Sequence, residues 1–585
     1  MKFLLTAINA KYIHSNPAIY SLRAYAGKEL ESHIELAEYT INQQMQDIMA
    51  DIYSRRPDAI GFSCYIWNWN MVQELLLEIP KVLPDTDIWL GGPEVTYDAE
   101  RILEHYPKLT GIMVGEGEVT FKELMEYYVF RQTQDENGSD AGKTKCPEQV
   151  AGLCLHTGYT KARPLTNLTD LPFLYEDLEP FANKIIYYES SRGCPYRCSY
   201  CLSSIDKKVR LRDIDVVKKE LQFFLDHKVK QVKFVDRTFN CDHKHAMEIW
   251  KYIYKHDNGV TNFHFEISAD ILREEEIALL RKFRPGLAQL EIGVQSTNEQ
   301  TIKAINRSMN VERLERIVAS VREGNNIHQH LDLIAGLPYE DYESFGRSFN
   351  RVYAMKPDQL QLGFLKVLKG SEMAERAEEF GICFGEKPPY EVLYTKWLAY
   401  SDVLRLKRVE EMVELYYNSN QYTHTLPFLE RAFATPFEMF EQMADYFEEK
   451  GYFMNSPARA YRYQVLLDFA QKYDTDNTSI YQELLTYDLY LRENVKSRPE
   501  FCTDLTDVSY KDAMRNFYRA EEENRQYLPE YGQYDWKQLS KMTHLEPFHY
   551  PVWDLQKLLQ EQGKMQSNKP DGREYILFDY QNRNP

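Results

Sequence analysis

Three closely spaced cysteines carry the strongest chemical signal in the chain. Cys194, Cys198 and Cys201 lie in the segment GCPYRCSYC at residues 193–201, with the spacing C-x3-C-x2-C. Thiolates are the usual ligands of iron–sulfur clusters, which normally take four of them. Three cysteines leave one iron open. The spacing therefore predicts a [4Fe-4S] cluster with one iron open to a non-protein ligand, for which the amino and carboxylate groups of a methionine moiety beside a sulfonium are one candidate.

The alternative for this loop is a zinc site. Structural zinc takes four ligands, often supplied by two C-x2-C pairs. The remaining cysteines are scattered and form no second pair; they stand at positions 64, 146, 154, 241, 383 and 502. His227 is a conceivable fourth ligand, but it falls in a predicted helix away from the loop. The spacing favours the cluster.

Composition and charge narrow the class of protein. The 585 residues are 43% hydrophobic and 27% charged, which is typical of globular domains, and the length predicts about three or four of them. A net charge of −19 disfavours nucleic acid or an anionic membrane as partner. We find neither a run of roughly 18 apolar residues nor a signal peptide. The expected location is the cytoplasm, where cysteines stay reduced.

The elements that position the cysteines begin with an α/β series over residues 1–131. Strands are predicted at 3–8, 59–64, 87–90 and 111–114, with amphipathic helices between them. This alternation predicts a parallel sheet covered by helices. Ligands of such sheets bind beyond the carboxyl ends of the strands. Glycines stand at two of these ends, namely Gly91, Gly92, Gly115 and Gly117.

A second α/β series is predicted over residues 184–385, after a linker and connector at 132–183 that contains a short β-like stretch at 149–156. Its strands are predicted at 185–190, 231–235, 262–267, 288–294, 330–334 and 359–365. Six strands with intervening helices predict a partial (β/α)6 barrel, and the cysteines follow the first strand, at the end where barrels place their active sites. Residues 386–585 predict a mostly helical accessory or substrate domain, rich in the chain's 43 tyrosines.

The cysteine motif, with Tyr200 before its last cysteine, resembles that of the radical S-adenosylmethionine (SAM) superfamily. Further segments resemble its coproporphyrinogen-oxidase-like branch, namely FEI at 265–267, GVQS at 293–296 and DLIAGLP at 332–338. WLGGPE at 89–94 and VGEGE at 114–118 resemble the B12-binding domain fused to many of these enzymes, which has a Rossmann-like (flavodoxin-like) fold. The resemblance covers about residues 1–380. The remaining tail resembles an accessory domain of a subgroup.

The resemblance implies roles for individual residues. The three cysteines would be the catalytic metal ligands, and polar residues at successive strand ends would hold SAM. Glu266 would accept hydrogen bonds from the ribose, and the fork of Arg307 suits a carboxylate. For Arg307 a solvated surface charge is the alternative. The full set implied to contact SAM is Asp236, Glu266, Gln295, Arg307 and Asp332.

Asp236 also has a simpler interpretation, as an ion-pair partner of Lys233 or Arg237. Cys241, shortly after the same strand, is interpreted as a small buried residue rather than a functional thiol.

For cobalamin, the resemblance implies that the four glycines line the corrin and the nucleotide tail. The D-x-H-x-x-G motif of many B12-binding domains is absent. His14 lies in the first loop, but its flanking residues differ from that motif. Base-off cobalamin without a protein histidine ligand is therefore implied, and His14 is expected to bond to backbone.

The implied activity is reductive cleavage of SAM to a 5′-deoxyadenosyl radical, followed by methylation of an unactivated carbon, as in the cobalamin-dependent (class B-type) methyltransferases. A non-methylating rearrangement or cyclisation is one alternative, and a cobalamin- or SAM-responsive binding protein is another. The implied partners are a small-molecule or peptide substrate and an electron donor such as flavodoxin or ferredoxin. The basic segment KKVRLR at 207–212 leaves RNA modification as a further option against a solvated loop.

Overall fold

The computed structural model of the protein describes residues 1–137, 146–495, 497–505, 507–565 and 572–580. The chain divides into two compact units. The first contains residues 1–358 and 362–403, and the second contains residues 359–361 and 404–585. Among the described residues, no helix has both the length and the apolar character required to cross a membrane.

The first sheet of the first unit has seven strands in the order β2-β1-β3-β4-β5-β6-β7. Its strands are β1 (Phe3–Asn9), β2 (Ile34–Thr40), β3 (Ala59–Ser63), β4 (Asp87–Gly91), β5 (Gly111–Met113), β6 (Leu153–Leu155) and β7 (Gly158–Tyr159). Its helices are α1 (Pro17–Ala26), α2 (Lys28–Glu31), α3 (Met45–Arg55), α4 (Trp69–Val82), α5 (Pro93–Thr96), α6 (Ala99–His105) and α7 (Glu118–Asn137). The first five strands are parallel, and β6 and β7 are antiparallel.

This sheet differs from the sequence expectation in two places. The edge strand β2 was not predicted, because polar residues interrupt its apolar pattern. In the predicted linker and connector at 132–183, β6 lies within the predicted β-like stretch, whereas the continuation of α7 to Asn137 and the strand β7 were not predicted. Residues 138–145 of that connector lie outside the described part of the chain.

The second sheet has six strands in the order β15-β14-β13-β12-β11-β8. The strands of this region, including a short hairpin of β9 and β10, are β8 (Ile186–Tyr188), β9 (Ser191–Arg192), β10 (Arg210–Leu211), β11 (Gln231–Phe234), β12 (Asn262–Ile267), β13 (Ala288–Gln295), β14 (His328–Ala335) and β15 (Gln359–Phe364). The accompanying helices are α8 (Ile214–Asp226), α9 (His243–Lys255), α10 (Glu274–Leu280), α11 (Glu299–Ala304), α12 (Val311–Arg322), α13 (Tyr342–Ala354) and α14 (Glu372–Glu375).

Burial alternates strictly along β12, β13 and β14. The fully buried positions are apolar or small in most cases, while the half-buried positions between them are mostly polar. This period of two is what a sheet with one apolar and one polar face requires. The polar positions line the interior of the partial barrel.

The rest of the chain is mostly helical. It comprises β16 (Cys383–Phe384), β17 (Val392–Tyr394), α15 (Tyr400–Met412), α16 (Thr425–Leu429), α17 (Pro436–Glu449), α18 (Arg462–Tyr473), α19 (Thr478–Arg492), α20 (Val508–Asn524), α21 (Trp536–Met542), β18 (Thr543–Phe548), α22 (Leu555–Met565) and β19 (Glu574–Asp579). Several of its tyrosines are almost fully buried, among them Tyr416, Tyr422, Tyr463 and Tyr481. These tyrosines therefore form part of the core of the second unit.

Candidate active site

The three cysteines lie on a loop that the β9–β10 hairpin closes. Arg192 pairs with Arg210 across the hairpin. Gly193 has a φ of +96°, and a Cβ at this position would stand 2.5 Å from the carbonyl oxygen of Lys208. The amide of Cys194 donates to the carbonyl of Asp206 at 3.1 Å. The glycine before the first cysteine is therefore required by the tight closure of the loop.

The middle of the loop is anchored through Ser199. Its amide donates to the carbonyl of Ile305 at 3.0 Å, and its carbonyl accepts from the amide of Met373 at 2.8 Å. The neighbouring Tyr200 packs against a buried apolar cluster, and its hydroxyl receives a hydrogen bond from Nη1 of Arg307 at 3.1 Å. The tyrosine of the motif thus joins the loop to the barrel.

A cavity of about 190 Å³ lies beside the loop. All three cysteines line it, and four of the five residues expected to contact SAM line it with them, namely Glu266, Gln295, Arg307 and Asp332. They come from β12, β13, β14 and the segment after α11. The fold therefore gathers side chains that are more than a hundred positions apart in sequence around one space.

The end of β13 is shaped around this cavity. The register shifts between Gly293 and Gln295, and Gln295 has a left-handed φ of +72°, which is uncommon for a residue with a side chain. A Cβ at Gly293 would stand 2.3 Å from Nε2 of Gln295 and 3.3 Å from Nη2 of Arg307. Gly293 therefore leaves the room that both side chains occupy.

Polar atoms in this wall lack a hydrogen-bond partner among the described residues, and they include one on Gln295 and one on Arg307. Arg307 donates through Nη1 to Sγ of Cys198 at 3.8 Å and through Nη2 to the carbonyl of Gly293. Its Nε and the Oε1 of Gln295 are buried without a hydrogen-bond partner among the described residues. Buried polar groups are nearly always satisfied, so these two atoms indicate that a ligand completes the site.

The carboxyl groups of the site differ in the direction of their pKa shifts. Burial raises the pKa of both Glu266 and Asp332. The nearest cation to Glu266 is Arg237, at 3.9 Å, and Asp332 lies 3.1 Å from Nε2 of His330. Glu291 behaves oppositely: burial opposes ionisation, but the hydrogen bond from His264 and the charge of Lys233 outweigh it and lower its pKa to about 2.

Asp236 is the one expected SAM contact that the structure places elsewhere. Its side chain is fully buried and does not line the cavity. It accepts hydrogen bonds from the amide and hydroxyl of Ser190 and from the hydroxyl of Ser191. It pairs with neither Lys233 nor Arg237, because it points toward the turn between β8 and β9. Its geometry suits it to hold the start of the cysteine loop.

The four predicted glycines line a second cavity, of about 360 Å³, at the carboxyl ends of β4 and β5. Gly92 and Gly115 differ in whether a side chain would fit at their position. A Cβ on Gly92, whose φ is +112°, would stand 2.4 Å from the carbonyl oxygen of Cys64, whereas a Cβ on Gly115 would meet nothing within 4 Å. Close chain packing thus requires Gly92, while Gly115 keeps its side of the cavity open.

A third cavity, of about 860 Å³, lies between the first sheet and the barrel, and Gly115 and Glu266 line it from the two sides. His14 and Trp67 also face it. The ring of His14 is bonded through Nδ1 to the hydroxyl of Tyr187 at 2.6 Å. Burial lowers the pKa of His14. His14 thus bonds to a barrel tyrosine rather than to backbone through its ring.

Sequence reasoning missed the ion pairs at the base of the cysteine loop. Arg192 and Arg210 both contact Glu116, whose neighbours Gly115 and Gly117 were singled out without it. In the predicted basic segment, Arg212 is also buried, against Glu220 at 2.7 Å. Only Lys207 and Lys208 of its cations are exposed. The signal available in the sequence was the pair of glutamates in GEGE at 115–118. Glycines that only make room for a ligand need no neighbouring carboxylates, so the glutamates pointed to ion-pair partners.

In the described ranges, no three His, Cys, Asp or Glu side chains converge on a point that would hold a single metal ion. A cubane cluster makes no such demand, because each cysteine binds a different iron.

Comparison with known families assigns three regions of the chain. A model described as the B12 binding domain matches residues 4–125, and one described as the radical SAM superfamily matches residues 188–352. A third, described as a protein of unknown function (DUF4080), matches residues 378–578.

Among characterised relatives, the chain is 24% identical over 355 residues to the cobalamin-dependent radical SAM methyltransferase TokK of Streptomyces tokunonensis, covering 56% of this chain and 50% of that protein. It is 25% identical over 289 residues to the hopanoid C-3 methylase of Methylococcus capsulatus, covering 46% and 52%. It is 23% identical over 320 residues to the anaerobic magnesium-protoporphyrin IX monomethyl ester cyclase of Rubrivivax gelatinosus, covering 52% and 56%. The matches thus span about half the length of these relatives.

Solved structures share the fold. The cobalamin-dependent SAM radical enzyme OxsB with aqua-cobalamin bound is 15% identical, with a TM-score of 0.58 over 89% of this chain and 84% of that one. The methyltransferase TsrM of Kitasatospora setae, with cobalamin and a [4Fe-4S] cluster bound, is 16% identical, with a TM-score of 0.53 over 67% and 82%. The expected fold class is confirmed: a Rossmann-like B12-binding domain, a radical SAM barrel and a helical C-terminal region.

Proposed function

The chain belongs to the radical SAM proteins that carry a B12-binding domain, and from that premise we propose that it is a cobalamin-dependent radical SAM methyltransferase acting on an unactivated carbon. One observation carries the proposal. The cavity beside the cysteine loop joins three cysteines to four polar residues from other strands, and two buried polar atoms in its wall, on Gln295 and Arg307, lack a partner.

The residues fit the cofactors that this activity requires. Cys194, Cys198 and Cys201 would ligate a [4Fe-4S] cluster. When bound, the cluster, SAM and cobalamin supply the electron, the radical and the methyl group. Hard chemistry of this kind belongs to the cofactors, and the protein binds, orients and excludes water.

The polar residues that line the cavity beside the cysteine loop would each contact a different part of SAM. Glu266, half-buried and only distantly paired, would accept hydrogen bonds from ribose hydroxyls. Arg307 lines the cavity, and hydrogen bonds to Tyr200 and to the carbonyl of Gly293 hold its guanidinium in place. It would bind the methionine carboxylate there. Gln295 and Asp332 would complete the contacts to SAM, and Asp236 would position the loop instead.

Cobalamin would occupy the two cavities above the first sheet. Gly91, Gly92, Gly115 and Gly117 line the smaller one, and Gly115 also faces the larger one. The D-x-H-x-x-G motif that supplies a histidine ligand in many B12-binding domains is absent. That absence supports base-off cobalamin without a histidine ligand.

Methylation is favoured because two of the relatives above are methylating enzymes, TokK and the hopanoid methylase. A non-methylating cyclisation is the second candidate, since another relative is a cyclase. The product separates them: methylation adds the mass of one CH2 unit to the substrate, and cyclisation adds none.

A reductant and a substrate are required by any radical SAM enzyme. For the reductant we propose a flavodoxin or ferredoxin in the cytoplasm, and for the substrate a small molecule or peptide selected by residues 386–585. Nucleic acid is disfavoured, because ion pairs bury Arg210 and Arg212 of the one basic segment singled out.

The test is anaerobic reconstitution with iron, sulfide and hydroxocobalamin, followed by incubation with SAM and dithionite. We expect 5′-deoxyadenosine and methionine to form. Cys198→Ala should abolish the cluster's absorbance and SAM cleavage, whereas the matched variant Cys241→Ala should retain both. Cleavage by Cys198→Ala would reject the cluster assignment, and a reconstituted wild-type protein inert toward SAM would reject the activity in favour of a binding protein.

A further inference from the structure

Arg192 lies between the site proposed for cobalamin and the loop proposed to hold the cluster. It is two residues before Cys194, at the base of the cysteine loop. Arg192 lines both the cavity of about 360 Å³ that the four glycines line and the cavity of about 860 Å³. It is three-quarters buried. A buried arginine at such a junction requires carboxylate partners.

Three carboxylates hold Arg192. Glu189, on the barrel side, takes two hydrogen bonds from it, both at 2.8 Å. Glu116, in the loop after β5, and Glu118, the first residue of α7, lie at 3.2 Å and 2.9 Å. One guanidinium therefore connects the B12-binding domain to the barrel, using the geometry in which arginine binds several oxygens at once.

The other side of the cysteine loop reaches the same carboxylate. Arg210, opposite Arg192 in the hairpin, lies 2.6 Å from Glu116 and 2.8 Å from Asp206. Glu116 also accepts from the amide of Thr166 at 2.7 Å. Burial opposes its ionisation, but the hydrogen bonds lower its pKa to about 2, so it stays charged at any working pH. Both ends of the loop thus converge on one glutamate of the B12-binding domain.

We propose that Arg192 couples the two cavities proposed for cobalamin to the cysteine loop, so that binding of cobalamin favours binding of the cluster and the reverse. This inference rests on the proposed function. Fixing a loop costs conformational free energy. The cluster would fix the loop through its cysteines, and the loop in turn fixes Arg192 as a wall of the cobalamin cavity. The ordering cost is then shared, which gives positive cooperativity between the two sites.

The test measures the dissociation constant of hydroxocobalamin for protein with and without the reconstituted cluster. We expect cluster-loaded wild-type protein to bind at least 5-fold more tightly than cluster-free protein, in the range usual for coupled sites. In Arg192→Met the ratio should fall to about 1. Hydrogen exchange of amides 193–209 should slow when cobalamin is added to cluster-free wild-type protein, and should not slow in the variant.

Two further variants secure the interpretation. Glu116→Gln keeps the size of the side chain and removes its charge, so it should lower the ratio too, even if Arg192→Met folds poorly. Arg351→Met removes an arginine from Glu312 and Glu315 on outer helices of the barrel and should keep the wild-type ratio.

The outcomes are distinct. A wild-type ratio of 1, or an unchanged ratio in both Arg192→Met and Glu116→Gln, overturns the coupling alone. If wild-type protein binds no hydroxocobalamin in either state, the proposed cobalamin site fails together with the coupling.

Discussion

Gly293 shows how a single residue shapes the candidate site. It lies where β13 bulges, and the absence of a side chain admits both Gln295 and Arg307 to the cavity wall. The segment GVQS resembles a family motif, and from it only the glutamine, Gln295, was expected to contact SAM. The structure adds that the glycine creates the space in which the glutamine and the arginine lie.

We therefore predict that Gly293→Ala weakens SAM binding to the reconstituted protein by about 10- to 100-fold, since hydrogen bonds to charged groups are worth about 1.5–3 kcal/mol. Equilibrium binding of SAM under anaerobic conditions measures the effect. Gly363→Ala is the control, because a Cβ there meets its nearest neighbour at an ordinary 3.4 Å. Wild-type affinity in Gly293→Ala would show that Gln295 and Arg307 do not hold SAM.

At the scale of elements, a buried carboxyl ties β13 to the helix after β14. Glu340 accepts hydrogen bonds from Ser296 at 2.7 Å and from Ser348 of α13 at 2.9 Å. Ser296 directly follows Gln295, so this contact supports the cavity wall from behind. Burial raises the pKa of Glu340 to about 7, and its Oε2 has no partner among the described residues.

A pH dependence of stability follows. The pKa of Glu340 is raised above the roughly 4.3 of an unfolded glutamate, so the native state binds more protons than the unfolded state between about pH 4.3 and 7. The free energy of unfolding should fall as pH rises through this window, by at most about 1.4 kcal/mol per pH unit for this group. Asp236, with its pKa also raised to about 7 by burial, acts in the same direction.

Glu340→Gln should therefore reduce this slope without abolishing it. Urea unfolding of the cluster-free protein at pH 5, 6, 7 and 8 measures it. The exposed Glu343 of α13 provides the control variant Glu343→Gln, which should keep the wild-type slope. An unchanged slope in Glu340→Gln would mean that Glu340 is ionised in the native state across this range.

At the scale of the whole molecule, the residues that line the three cavities all belong to the first compact unit. The helical second unit has its own core, in which tyrosines supply much of the buried volume. The cavities proposed for the cofactors are therefore lined without a residue of the second unit.

We predict that a chain ending at Val403 binds hydroxocobalamin and SAM with affinities within about 3-fold of the full-length protein, a change smaller than one weak contact. Circular dichroism would verify that the shortened chain is folded, and equilibrium binding would measure both ligands. Loss of either ligand from a folded shortened chain would mean that residues beyond Val403 contribute to its site.

The sequence by itself determined the parts of this protein that depend on local pattern. The spacing of Cys194, Cys198 and Cys201 follows from the geometry of one loop, and the alternation of strands and helices follows from hydrophobic periodicity. Both are local properties, which explains why the fold class and most strands were predicted while the irregular edge strand β2 was not.

Only the tertiary structure decided which polar side chains meet. Asp236 and Glu266 both stand at or near strand ends, yet Glu266 faces the cavity and Asp236 turns to the serines behind it. The sequence also gave no indication that Arg192 and Arg210 converge on Glu116, since these contacts join residues about 76 to 94 positions apart. Side-chain direction and long-range pairing depend on the packing of whole elements, and spacing along the chain does not encode them.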